Sequence, residues 1–445
     1  MTREVRLGSN GPAAALPSWA RAWAKDSSLL VASQGLSVVA TSVAAILIAR
    51  HLAPSDWGVF SGFLGLSLSV AVIVEFGLAT WMLRELSRLF AGGDVPEATA
   101  SASRLVSSAL AVNGAAATLI LLGGVVVSEL RGSGAAEILA LASLLIYGGL
   151  FAGANVLETH LRARRKIKRV VGSSLLEKYL LVVLVLASSL GGAGIVGIGL
   201  AYVAAGLARY LYLTWNVFGK TGVIIPRWTD ARSLARHSFP FVITGGAWHT
   251  IPWLDPFVVL MFSATSAGYF ALGVRLLGPA MIVPAAFGAA LYPFMAPKTG
   301  RSSDVWKLGA LLGGLGGVLA AIGIVLAPRL VPVVFGQDYS GAVPAVQVML
   351  IALPLAFANT PLLVYAYSRD QERRVAKLTI ALSLVGTVAI AGGQALGGVT
   401  FAAGGVLVRQ VLFLLAIAFV ARFSRAPVEQ VEAVPPPPAP VEVAR

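Results

Sequence analysis

The chain has 445 residues, 57% hydrophobic against 12% charged, a net charge of +14 and no cysteine, with a mean hydropathy of +0.82. A globular chain in water carries roughly twice that share of charge, so a soluble enzyme is excluded. So are disulfides, thiolate metal sites and a cysteine nucleophile. The surplus of Lys and Arg points to basic loops flanking membrane spans rather than to nucleic acid.

Residues 1–27 carry Arg3, Arg6, Arg21 and Lys25 ahead of an apolar run long enough to remain as a first span, not a cleaved leader. Apolar runs then follow at 28–50, 58–82, 104–128, 136–158, 173–191, 193–215, 238–261, 266–292, 307–327, 342–366, 376–394 and 399–421. Each is long enough to cross about 30 Å of hydrocarbon as a helix, and in hydrocarbon only helices and closed barrels satisfy their own backbone. The fold class is therefore an all-α polytopic membrane protein with about twelve transmembrane helices. Alternate connections segregate by charge. One side holds Arg84 and Arg88, RARRKIKR (162–169), Lys220, Arg227, Arg232 and Arg236, Lys298 and Arg301, and Arg369, Arg373 and Arg374; the other has only Arg50, Arg131 and Arg329. The asymmetry places both termini in the cytoplasm of a multi-pass cell-membrane protein.

LAPSDWGVFS (52–61) aligns with FSATSAGYFA (262–271) at an offset of 210 residues, sharing a glycine and the pair Phe60/Phe270. Ser133-Gly134-Ala135 aligns with Ser340-Gly341-Ala342, and Arg209 with Arg409, in the same order. This reads as two six-helix bundles related by an internal repeat, 28–218 and 238–421. The cytoplasmic segment 219–237 links them. The stretch 422–445, with AVPPPPAPVEVAR, is expected to be a disordered tail.

Catalytic constellations are missing. His51, His160, His237 and His249 are not at metal-ligand spacing. Gly219-Lys220-Thr221 lacks the first glycine and the strand of a phosphate loop, so no ATPase is expected. What remains is charge inside spans, which is costly in lipid and usually faces a bundle interior or a wet cavity. The candidates are Glu75, Arg209, Asp255, Arg275 and Arg409, with His249 as a titratable addition. Asp255 and Arg275 lie at ~10 and ~13 Å from the same end of a tight hairpin, counting 1.5 Å per residue, and are expected to face one another. That pair reads either as a structural salt bridge or as a cavity site. In the second reading Arg275 holds an anion, and Asp255 tunes it or takes a coupling ion, sodium or proton. Pro252 and Pro256 in span seven and Pro279 and Pro284 in span eight interrupt helix hydrogen bonds, as gating elements do. Arg409 near the middle of span twelve suits a phosphate through its two-pronged guanidinium. Arg209 either joins it or snorkels to the interface, and Glu75 either pairs with Arg84 or lines the cavity. Glu177 and Lys178 read as an interfacial pair. Asn113, Asn155, Asn359, Gln34 and Gln394 read as interhelical hydrogen bonders, and Trp57, Trp81, Trp215 and Trp306 as an aromatic belt.

ARHLAPSDWGVFSGFLGL (49–66) with EFGLATWMLREL (75–86), the stretch 239–297 and LVPVVFGQDYSGAVPAVQVMLIALPL (330–355) resemble, in order, the Wzx-like polysaccharide flippases of the multidrug/oligosaccharidyl-lipid/polysaccharide exporter superfamily. The resemblance implies two six-helix bundles around a cationic cavity open to one side at a time. It implies a polyprenyl phosphate or diphosphate carrying an oligosaccharide as substrate, with membrane lipids, and glycosyltransferases or a polymerase of the pathway, as further partners. The span-seven aspartate and span-eight arginine, Asp255 and Arg275, match the family's pattern; span eleven lacks the charge often found in related flippases. A cation-coupled drug antiporter of the same superfamily would need mainly acidic cavity residues. A non-transporting membrane scaffold would need no mid-membrane arginine.

Overall fold

The structure is a computed structural model describing residues 18–75, 78–91, 95–130, 132–219, 234, 251–295, 302–369 and 371–423. The 219–237 linker, apart from Gly219 and Leu234, lies outside the described residues, as do His249 and the tail from 424 onward.

Helices account for the membrane-crossing residues, as backbone pairing in hydrocarbon requires. The first six spans are α1 (Ser18–His51), α2 (Pro54–Glu75) with α3 (Leu78–Ala91), α4 (Val95–Leu130), α5 (Ala135–Ala163), α6 (Ile167–Leu190) and α7 (Gly194–Phe218). Span seven enters the described residues as a 3-10 turn, Ile251–Leu254, followed by the short helix α8 (Asp255–Leu260). Span eight is α9 (Ala264–Ala280) and α10 (Ile282–Met295), and span nine is α11 (Ser302–Phe335). A 3-10 turn, α12 (Val343–Leu350) and α13 (Leu353–Ser368) form span ten, and α14 (Glu372–Gly397) and α15 (Val399–Phe423) complete the set. Eleven of these spans are long and apolar enough to cross a bilayer, and the described part of span seven is a shorter apolar helix. Several helices overrun the apolar runs that announce them, α4 by starting at Val95 and α11 by ending at Phe335. A helix satisfies its backbone in water as well as in lipid, so charge does not stop it.

Prolines mark the breaks in spans seven and eight. Pro256 sits in the first turn of α8, where its missing N–H costs nothing. In span eight, α9 ends just after Pro279 and α10 restarts beyond Met281.

Within the first half, α5 packs against α2, α4 and α7, and α6 against α1 and α7. Within the second, α14 packs on α15, and α13 on α11 and α15. The halves meet chiefly where α2 crosses α9. At that crossing a Cβ on Gly58 would strike the Ala264 carbonyl, and one on Gly268 would strike the Pro54 carbonyl. With an offset of 210, Gly58 corresponds to Gly268 and Pro54 to Ala264. Each half therefore presents the same two positions to the other, and the repeat becomes a pseudo-two-fold axis through this contact.

The crossing lies toward the side of the short, weakly charged loops, and two polar contacts close that side further. Arg50 donates from Nε to the Val334 carbonyl at 2.8 Å and from Nη2 to the Val333 carbonyl at 2.6 Å. These are last-turn carbonyls of α11, which lack partners within their own helix and attract a cation. The Tyr339 hydroxyl donates to the Leu52 carbonyl at 3.2 Å. Trp57, read from the sequence as part of an aromatic belt, is instead 1% exposed and stacks on Phe60 in the core. Proximity to a span end does not fix which way a ring turns. Trp215 and Trp306 are exposed, as a belt requires.

Gly58→Leu should wedge this crossing apart, an overpacking cost of about 1–3 kcal/mol. The chain has no cysteine, so a single Ser61→Cys reports on access without background. Its labelling by an impermeant maleimide from the short-loop side is expected to rise when Gly58→Leu is added; unchanged labelling would show that the crossing does not seal this side.

Candidate functional site

A cavity of about 430 Å³ lies between the halves, within the range of ligand pockets. Its walls come from α1, α2, the 251–256 turn, α9 and the end of α11. Six of its lining positions in the first half have their repeat counterparts in the second. Ser42 answers to Pro252, Ile46 to Pro256, Ser61 to Ala271, Leu64 to Val274, Gly65 to Arg275 and Leu68 to Gly278. The cavity thus straddles the pseudo-two-fold axis, just beyond the Gly58–Gly268 crossing. Symmetry fails in charge at one pair: the counterpart of Arg275 is Gly65, which packs against the Trp253 carbonyl. The lining contains no Asp or Glu, and among the described residues no carboxylate pairs with Arg275. Pro252 and Pro256 share this lining.

Asp255 does not face Arg275. It is 1% exposed; its Oδ2 takes a hydrogen bond from Arg409 Nη1 at 2.6 Å, and its Oδ1 takes one from the Thr387 hydroxyl at 3.0 Å. The expected Asp255–Arg275 pair is therefore corrected to an Asp255–Arg409 pair bridging α8 and α15, with Thr387 of α14 as third member. The depth count placed Asp255 and Arg275 at one level but left open which way each points. One turn of helix separates Pro252 from Pro256, which face the cavity, and Asp255 lies off that face toward α14 and α15. Gly386 completes the arrangement, since a Cβ there would meet Cβ, Cγ and Cδ of Arg409. Arg409 thus reaches Asp255 through a gap in α14 rather than offering its guanidinium to the central cavity.

Arg209 neither snorkels nor lines the cavity. It is buried and donates to Glu158 Oε2 at 2.6 Å, to Glu177 Oε2 at 3.0 Å and to Asn155 Oδ1 at 3.3 Å, with its guanidinium 5.4 Å from the Phe151 ring centre. The network runs on. The Tyr147 hydroxyl and Lys178 Nζ both donate to Glu177 Oε1 at 2.8 Å, Arg162 meets Glu158 Oε1 at 2.5 Å, and Asn155 Nδ2 donates to Glu75 Oε2 at 3.3 Å. Glu177 and Lys178 do pair, but Glu177 is 1% exposed and belongs to this interior cluster. Glu75 contacts neither Arg84 nor the central cavity; its side-chain partner is the neutral Asn155. The sequence reading left out Glu158, which sits four residues before Arg162 at a span end and looks like an interfacial charge until α7 brings Arg209 against it. No three His, Cys, Asp or Glu side chains gather as a metal site among the described residues.

A family profile described as "Polysaccharide biosynthesis protein" matches residues 23–297, well over half of the chain. The protein belongs to the polysaccharide biosynthesis protein family. The match covers all of the first half and spans seven and eight, including Asp255 and Arg275. No curated protein sequence matches it. Its fold is shared with solved transporters. An inward-facing multidrug resistance MATE family transporter of the MOP superfamily aligns over 87% of this chain and 94% of its own, at 14% identity and a TM-score of 0.66. The lipid II flippase MurJ, in an inward closed conformation, aligns over 88% and 87% at 13% identity and 0.64. A MOP superfamily transporter from Pyrococcus furiosus, described as having a binding pocket of reverse polarity, aligns over 89% and 93% at 15% identity and 0.55.

Breaking a buried pair strands a charge and costs about 3–5 kcal/mol, whereas replacing both members with apolar residues is often neutral. Arg409→Ala should therefore lower stability by about that amount, and Asp255→Leu with Arg409→Met should recover most of it in denaturant unfolding of the purified protein. Equal losses in the single and double variants would contradict the pairing. Arg209→Ala, which leaves Glu158 and Glu177 short of their shared cation, should destabilise by several kcal/mol, whereas Arg275→Ala should change the unfolding free energy by no more than about 0.5 kcal/mol, as substitutions outside packed networks do.

Proposed function

We propose that this protein is a secondary transporter of the cell membrane, a flippase that moves a polyprenyl phosphate- or diphosphate-linked oligosaccharide from the cytoplasmic to the outer leaflet by alternating access. The observation that carries the reading is Arg275, a guanidinium with no carboxylate partner among the described residues, on the wall of a cavity that sits on the axis relating the two halves. A planar two-pronged donor suits a phosphate, and an anionic head group is what the hydrocarbon layer otherwise refuses. The polyprenyl chain stays in lipid. The family to which the chain belongs is one of polysaccharide biosynthesis, and among proteins of this fold is a lipid II flippase.

Arg409 and Arg209, both bound to buried carboxylates, take no part in this proposal as phosphate ligands. Among the described residues that line the cavity, the positive charge therefore sits at one point, Arg275. The basic connections and both termini lie in the cytoplasm under this reading, and the Gly58–Gly268 crossing, Arg50 and Tyr339 hold the outer side shut. Opening outward means separating the halves there while the basic side closes. Pro252, Pro256 and the break at Met281 supply backbone that bends without losing helix hydrogen bonds. For coupling to sodium or a proton, Asp255 is already neutralised by Arg409; Glu75, held by the neutral Asn155, is the carboxylate left to take a cation. A drug antiporter would want an acidic cavity, and this lining carries none.

Arg275→Ala is expected to reduce export of lipid-linked sugar at least 100-fold, and Arg275→Lys, which keeps the charge but loses the fork, to restore part of it. Export would be followed as outer-leaflet glycan in cells whose own exporter is deleted. Full export by Arg275→Ala at normal membrane levels would remove the phosphate assignment.

A further inference from the structure

A second cavity, of about 310 Å³, lies between α4 and α5. It shares no lining residue with the central one. Helix α4 turns a broad apolar surface outward, with Leu119, Leu122, Val126 and Val127 all exposed, so this cleft belongs to the bilayer side of the first half. Its walls are mostly aliphatic, among them Leu110, Leu121, Leu145 and Leu150, with Tyr210 of α7 at one side, and Gly114 leaves its centre open. One residue does not fit such walls. Asn113 is 2% exposed, and neither its Oδ1 nor its Nδ2 has a hydrogen-bond partner. An unmet amide in an apolar layer costs several kcal/mol. The sequence leads one to expect an interhelical bond at Asn113, and the structure gives it none. The nearby Thr118 hydroxyl is already committed to the Gly114 carbonyl at 2.8 Å.

The missing partner must both accept from Nδ2 and donate to Oδ1. A water can, but a stable buried water has two to four polar partners, and among the described residues of this lining the other polar side chains are engaged already, Thr118 with the Gly114 carbonyl and Tyr210 with Thr214. A hydroxyl attached to a hydrocarbon body meets both demands, filling the aliphatic walls and pairing the amide. Asn113 lies nine residues along α4 from Arg104, or about 13 Å at 1.5 Å per residue. A charged head group would have to leave the interface to reach it, at a cost of several kcal/mol, so the ligand is neutral. We propose that this cleft binds a neutral single-chain lipid, a long-chain alcohol or monoacylglycerol, which enters sideways from the bilayer and places its hydroxyl on Asn113. The site is independent of the central cavity and of the transported substrate.

The test is native mass spectrometry of the full chain released from detergent with 1-oleoylglycerol added as probe. Thermal unfolding is measured in parallel with and without the probe. The unaltered protein is expected to retain one oleoylglycerol and to gain thermal stability from it. Asn113→Leu removes the polar anchor, and Gly114→Phe fills the cleft from a position whose Cβ meets nothing within 4 Å. Each should retain the probe at least ten-fold less well, about 1.4 kcal/mol of binding, and lose the thermal shift. Should Gly114→Phe unfold, Gly114→Leu replaces it. Equal retention by all three proteins overturns the proposal. So does an absence of retention by the unaltered protein, with Asn113→Leu simply more stable, which would mean an unpaired or hydrated amide. Equal retention of oleoyl lysophosphatidylglycerol would overturn the requirement for a neutral head.

Discussion

A full charge in the hydrocarbon layer has to be answered by an opposite charge, by hydrogen bonds or by water, and that demand sorts the arginines of this protein. Arg209 is answered twice, by Glu158 and Glu177. Arg409 is answered once, by Asp255, which Thr387 also holds. Both guanidiniums are thereby spent on tying helices together: α5, α6 and α7 in the first half, and α8, α14 and α15 in the second. Among the described residues, Arg275 is the arginine that lines the central cavity without a carboxylate partner. Such buried pairs add little net stability over apolar packing, so what they contribute is register, fixing how spans rotate against their neighbours.

Much of this was legible from the chain alone, because the strongest constraints leave one-dimensional traces. Backbone pairing in lipid writes itself as apolar runs, the charge of connecting loops alternates, and a duplicated half repeats its small residues. The offset of 210 that aligns Gly58 with Gly268 is the same offset that pairs the cavity walls residue by residue. Rotation about the helix axis leaves no such trace. Counting residues puts Asp255 and Arg275 at one depth, yet the turn before α8 sends the first toward α15 and leaves the second at the cavity. The same blindness hid the burial of Trp57 and Arg209, and the role of Glu158. Gly386 was the available signal for Arg409, since a glycine in a span facing a long side chain marks where that chain passes, but nothing in the sequence says which glycine faces which arginine.

The cavity shows how duplication and divergence divide their work. Its shape is inherited twice: serine or proline, isoleucine or proline, leucine or valine recur at matched places on both walls. Its charge is not, because position 65 is glycine where position 275 is arginine. A symmetric pair of arginines would have repelled each other across so small a space; position 65 is instead a glycine packed against the Trp253 carbonyl, and the cation stands on one wall. The proposed head-group site is thus displaced from the axis into the second half, beside Pro252 and Pro279, whose counterparts Ser42 and Ser69 lie within continuous helix.

The glycine contact between α2 and α9 also bears on how such a chain came to be. Because Gly58 meets the second half at the place where Gly268 meets the first, the joining patch is self-complementary, the kind of surface by which two identical subunits pair around a two-fold axis. A separate six-helix protein bearing this patch would already hold what it needs to associate with its own twin in the same membrane orientation. Fusing two gene copies would then have required a connecting peptide and no new interface.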